Sequence, residues 1–310
     1  MKFEAGETVL LGATHYRILG HLATGAVADV YRATPVEFPD TEVIIKLVRD
    51  DAGPDPLRIE GIQHEAEVLT ILNRAEDPRW PRSAGFAARL RRAQETTLQR
   101  RVVALLDSGE AAPQHPYLIQ EKAPPPFERF PVESLADERR MLAVAQAVAG
   151  VIALAHRHNL ALKDFEPHTK WDRICLRWLD DGERFELKII DWDVTGGTED
   201  MAQDLFFFGR HLYYFLLGHH LTLGEQEQPP ANLGLGTPGW ERLTQGSRQI
   251  LQHLLHRDPR RRYQRAEAVE ADLAWWVEVL RQTDAPNALD RLQERIWPVS
   301  YTHLTLPTKA

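Results

Sequence analysis

A single cysteine, Cys175, in a chain of 310 residues has no partner for an internal disulfide, and no cluster of Cys and His has the spacing of a structural zinc site. Such thiol poverty suits a reducing compartment, so a cytoplasmic location is expected. Long hydrophobic runs are missing too. The N-terminal MKFEAGETVL has no basic flank ahead of an apolar stretch, and the most apolar later run, Leu212 to Leu217, is too short to cross a bilayer. No targeting or membrane segment is expected among these residues. Positive charge is the third scarcity: 37 Lys and Arg stand against 45 Asp and Glu, a formal net charge of -8, which argues against nucleic acid as a main partner. What is there is 43% hydrophobic and 26% charged, enough for one large core or two modest ones.

The chain changes character at Pro124, Pro125 and Pro126, three residues without backbone donors that neither a central strand nor a helix interior accommodates. Before them, YRIL, DVYRA, EVIIKLV and PYLIQE read as strands, and Ile62, Ala66, Leu69 and Leu72 lie at helical spacing between the third and fourth of these. After them, Met141 to His156, Asp204 to Leu217 and Ser247 to His256 read as helices, and RICLRWL with FELKIIDWD as a hairpin turning at Asp180, Asp181 and Gly182. The expected architecture is α+β in two lobes: a small, mostly β lobe with one helix over 14–123, and a larger, mostly α lobe over 124–284. Residues 285–297 would begin a linker or further region. The last stretch, PVSYTHLTLPTKA over 298–310, resembles read-through translation of a sequencing-library adapter and is expected to be non-native.

Between the first two strands, LGHLATGAVADVY is a turn-prone run in which Gly25 lets a backbone approach phosphate. Taken alone, that run reads first as an ordinary hairpin turn containing a glycine. The strand EVIIK then places Lys46 among apolar neighbours, where a lone ammonium is costly unless a carboxylate or phosphate pairs with it, and the helix phrase HEAEVLTIL offers Glu65. With PYLIQEKA, LKDFEPHT, IIDWD, AQDLFFFGRHLYYFLLG and ILQHLLHRDPRRRYQRAEAVEADL following in that order, the chain from Tyr16 to about Trp276 resembles the protein kinase family, in the form of a divergent bacterial eukaryotic-like serine/threonine kinase.

The resemblance implies ATP and Mg2+ as cofactors. It implies that Lys46 contacts the α and β phosphates and pairs with Glu65, that Ala23, Gly25, Val30 and Ile44 frame the nucleotide, and that the hinge from Glu121 to Ala123 meets adenine. Asp164 would orient the attacking hydroxyl or accept its proton, Asp191 would bind magnesium, and Thr169 falls where a second metal ligand belongs, unless an insertion moves that ligand to Asp172. Asp204 would brace the catalytic-loop backbone, and Arg262 stands at the place of a structural arginine.

The sequence departs from the family at several of these points. Ala23 and Ala28 replace two glycines, Ile44 replaces a small residue facing the adenine, and Glu166 brings a negative charge where the loop has a lysine. Trp192 and Asp193 follow Asp191 in place of Phe and Gly. Ten residues, Val194 to Gln203, separate IDWD from Asp204, too few for a peptide-docking platform or a phosphorylated activation loop. Three functions therefore compete: serine/threonine phosphoryl transfer to an unidentified protein substrate, a pseudokinase acting as a binding or scaffold module, and a small-molecule phosphotransferase of the aminoglycoside or choline type. The arginines at 74, 79, 82, 89, 91, 92, 100 and 101 read as a solvated, partly helical insertion. The pairs His219 with His220 and His253 with His256 read as surface or helix-end residues, and at least one of Trp275 and Trp276 as core.

Overall fold

The computed structural model describes residues 1–49, 53, 55–82, 85–162, 173–179, 182–192, 196–197, 200–224 and 228–283. Its first lobe is built on a six-stranded antiparallel sheet of β1 (Thr8–Leu11), β2 (Thr14–Thr24), β3 (Ala28–Pro35), β4 (Val43–Val48), β5 (Leu105–Ala112) and β6 (His115–Glu121), in the spatial order β1-β2-β3-β4-β6-β5. Both faces of this sheet are covered, which is why β4 reads VIIKLV with apolar residues pointing either way. One face lies under α1 (Pro56–Glu76), through Ile62, Val68, Leu69 and Leu72 packed with Val48, Leu105 and Leu118. The other carries Val43, Ile45, Leu47, Tyr117 and Ile119 against Trp80 and a second helix, α2 (Phe86–Glu95).

The two helices start differently. Asp55 caps α1 by accepting from the Leu57 N–H, with Pro56 at the first helical position, where its missing donor costs nothing. Gly85 begins α2 without a side-chain cap, and the helix is held by Phe86, Leu90 and Ala93, buried at intervals of four and three. The expected single helix of this lobe is thus joined by a second inside the arginine-rich insertion.

The second lobe centres on α3 (Leu135–Arg157), opened by a capping box between Ser134 and Asp137 and buried on most of its circumference. Around it lie α4 (Met201–Leu217), α5 (Gln245–Leu254) and α6 (Ala266–Thr283), with the hairpin of β7 (Ile174–Trp178) and β8 (Phe185–Ile189) under the sheet of the first lobe. Gly218 ends α4 in the left-handed conformation, φ +82°, that favours glycine. Of the two adjacent tryptophans, Trp276 is buried and donates to Thr244 Oγ1 at 2.8 Å, while Trp275 is exposed. The proline run joins the lobes: the Pro125 carbonyl accepts from the Leu176 N–H at 2.9 Å, and the Phe127 N–H donates to Ile174 at 2.7 Å. No helix among the described residues is long and apolar enough to cross a membrane.

Candidate functional site

Residues facing each other across an antiparallel ladder share a face of the sheet. The pairs Ala23 with Val30, Val30 with Lys46, Lys46 with Leu118 and Ile44 with Gln120 therefore set Ala23, Val30, Ile44 and Lys46 on one face, the face that α1 covers. Lys46 is 6% exposed and Glu65, one side of α1, is 1% exposed. Two charges so deeply placed need partners, and they have them: Lys46 Nζ donates to Glu65 Oε1 at 2.7 Å and Oε2 at 2.9 Å.

The same ammonium donates to Asp191 Oδ1 at 2.6 Å, across 145 residues of chain. Lys46, Glu65 and Asp191 are thus one cluster, drawn from β4, α1 and the segment after β8. Burial alone would lower the Lys46 pKa, but Glu65 and Asp191 outweigh it and hold the lysine charged well above its usual range. For Asp191, burial pushes up and the Lys46 charge pulls down harder, leaving its carboxyl below the usual aspartate range. Its side chain remains 39% exposed, so part of the carboxylate faces solvent.

Asp191 adopts φ +59°, a left-handed conformation uncommon outside glycine. Its neighbours fix that turn. The Trp192 N–H donates to Glu65 Oε1 at 3.3 Å, and its buried indole donates to the Ile189 carbonyl at 3.1 Å. Arg173, just before β7, donates from Nη1 to the Asp191 carbonyl at 3.2 Å. Sequence reasoning had no place for Arg173; the one signal was its position directly ahead of the apolar strand ICL, one residue past Asp172.

The turn between β2 and β3 is held by the Gly25 N–H donating to Ala28 at 2.8 Å and by Arg49 Nη1 donating to the Gly25 carbonyl at 2.8 Å. Val27 at its tip packs toward α1, where a Cβ on Gly61 would lie 3.1 Å from Val27 Cγ1. At the hinge, the Glu121 N–H donates to Ala104 at 3.0 Å, and its side chain turns into a rear cluster with Arg100 at 2.7 Å, the Ala104 N–H at 2.8 Å and Lys188 at 3.4 Å. Ala123 is half-buried beside it. Lys163, Asp164, Glu166, Thr169, Asp172 and Asp193 lie outside the described residues.

Below the cluster, Asp204 on α4 accepts from the Leu162 N–H and from His156 Nε2, both at 2.8 Å, so it ties α3, α4 and the start of the LKDFEPHT segment together. Arg262 donates from Nε to the His256 carbonyl at 2.7 Å and stacks over Phe206 at 4.2 Å from the ring centroid.

A divalent cation at Asp191 would need several oxygen ligands around it. Among the described residues no three His, Cys, Asp or Glu side chains come together for a metal, and Asp191 is bonded by Lys46 at its carboxylate and by Arg173 at its backbone carbonyl. The described residues alone do not fit a magnesium cage.

No family model matches the chain, and no curated protein matches it by sequence. Among solved structures, the kinase domain of PknI from Mycobacterium tuberculosis is similar at a TM-score of 0.51 and 15% identity, covering 88% of this chain and 99% of that one. A double mutant of the same domain gives a TM-score of 0.51 at 18% identity, with the same coverage. At such identities the likeness carries the fold alone, and that fold is protein-kinase-like, with two lobes.

Proposed function

We propose that this protein-kinase-like chain binds ATP between its lobes and transfers the terminal phosphoryl group to a serine or threonine hydroxyl of a protein. The observation that carries the reading is the single cluster of Lys46, Glu65 and Asp191, charged, close-packed and open to solvent at the Asp191 carboxylate. Such charges are expensive to hold in a fold that has no use for them. In this reading Lys46, oriented by Glu65, grips the nucleotide phosphates. Ala23, Val30 and Ile44 frame the base, with the backbone from Glu121 to Ala123 along its edge. Asp164 takes the proton from the attacking hydroxyl, so that the hydroxyl oxygen bonds to phosphorus as the ADP oxygen leaves.

A second reading, a binding or scaffold module that transfers no phosphate, is favoured by the sequence at Glu166, which brings a negative charge toward a phosphate, and by the bulk of Ile44. Incubation of purified protein with labelled ATP, magnesium and generic protein substrates, next to an Asp164→Ala control, separates the two. Phosphoprotein above the control by roughly a hundredfold or more is expected for a lost general base. Label no higher than in the control would remove the transferase reading, and label on aminoglycosides or choline instead of protein would replace its substrate.

A further inference from the structure

A groove of about 740 Å3 runs between α1 and the hairpin of β5 and β6, and it shares no lining residue with the cluster of Lys46, Glu65 and Asp191. Its apolar part is made by Ile62, Ala66 and Ile71 on α1 and by Pro116 on β6, and Ile71 is 41% exposed. Two carboxylates flank that part. Glu67 lies four residues before Ile71, on the same face of α1, and Glu110 stands on the facing hairpin, opposite Pro116 in the ladder. Both glutamates are exposed, neither forms an ion pair among the described residues, and no Lys, Arg or His lines the groove.

An apolar strip with a carboxylate on each wall and no cation of its own complements a ligand of the opposite build, apolar at its centre and positive at its flanks. We infer that this groove docks a basic, apolar-centred segment of a partner protein, with its hydrophobic side chains over Ile62, Ala66 and Pro116 and its Lys or Arg side chains at Glu67 and Glu110. A length of chain suits the place better than a compact ligand, because the strip follows α1 from Ile62 to Ile71, about 14 Å along the helix axis. The apolar contact supplies most of the affinity, and the two rim charges select against acidic segments and make docking salt-dependent. Because the groove and the Lys46 cluster are separate, this inference does not depend on nucleotide binding.

Fluorescence anisotropy tests this, with a labelled peptide that carries a leucine and a phenylalanine between two pairs of lysines, titrated with the full chain. Saturable binding is expected, weakened roughly tenfold or more in the double variant Glu67→Lys with Glu110→Lys, and by a similar factor when the two apolar residues of the peptide are alanine. A net charge of -8 attracts any polycation, so Glu4→Lys with Glu37→Lys, which changes the charge equally at exposed positions outside the groove, is the control. It is expected to bind within about threefold of wild type, and melting curves show that each variant is folded. Absence of saturable binding, an equal loss in the two double variants, or equal affinity for a peptide with glutamates in place of its lysines overturns the inference. A dimer in sedimentation velocity that Glu67→Lys with Glu110→Lys dissolves would overturn it too, by giving the groove to a second copy of this chain.

Discussion

One ammonium shared by two carboxylates is stable only where its desolvation is matched by short, well-directed bonds, and Lys46 has three, to Glu65 Oε1 and Oε2 and to Asp191 Oδ1. A simpler pair shows how such charges couple to pH. Asp77 takes Arg92 Nε at 2.5 Å and Nη2 at 2.9 Å, and the Arg92 hydrogen bond holds the Asp77 carboxyl below its usual value of 3.8. A folded pKa lowered in this way adds stability that is fully present above the unfolded value and fades as pH falls through the lowered one. Asp77→Asn is therefore expected to be less stable than wild type at pH 7, with the gap in urea midpoint closing below about pH 4. A gap independent of pH would mean that the ion pair contributes nothing through its charge. At this scale the sequence was legible where a charge broke an apolar pattern. Lys46 interrupts EVIIKLV and demanded a partner, and the following helix offered Glu65 in HEAEVLTIL. Arg173 broke no pattern, sitting among other polar residues ahead of a strand, and only the folded position of Asp191 reveals what it meets.

Elements declared themselves in proportion to their periodicity. The helix at Ile62, Leu69 and Leu72 and the strands at YRIL, DVYRA and PYLIQE carry strong patterns, whereas β1 has only four residues and β5, LLDSGEAA, is an edge strand with no alternation. The α2 helix falls within the stretch read as partly helical, but its bounds were hidden by its arginines, since its buried Phe86, Leu90 and Ala93 are few in number. Within α1 one position works against helix propensity. Gly61 lies mid-helix, where glycine costs about 1 kcal/mol relative to alanine, and it admits the Val27 tip of the β2–β3 turn. Gly61→Leu is expected to push that tip away from α1. Amide exchange at Gly25, now bonded to Ala28 at 2.8 Å, should accelerate by an order of magnitude or more, as for any locally opened turn. Unchanged exchange there would show that the turn stands without α1.

Across the whole molecule, the rear of the lobe junction is as heavily bonded as the front. Lys188 on β8 is 0% exposed and donates at 2.9 Å to the carbonyls of Thr97 and Arg100, while the Val103 N–H reaches Ile189 at 3.3 Å and the Ile189 N–H reaches Arg101 at 2.8 Å. The arginine-rich insertion is thus a brace from the first lobe to the second, besides being a solvated face. Lys188→Met would leave buried carbonyls and the Glu121 carboxylate short of a donor, a loss of about 1–3 kcal/mol and several degrees in Tm. Scanning calorimetry showing an unchanged Tm would remove the brace from the account.

The claim on which the rest depends is that Lys46 grips nucleotide phosphates, and calorimetric comparison of ATP with adenosine tests it most directly. Wild type is expected to bind ATP at least tenfold more tightly than adenosine, about 1.4 kcal/mol, and folded Lys46→Met is expected to lose that difference while keeping adenosine. A folded Lys46→Met that still prefers ATP by the wild-type margin, or a wild type that treats the two ligands alike, would contradict it.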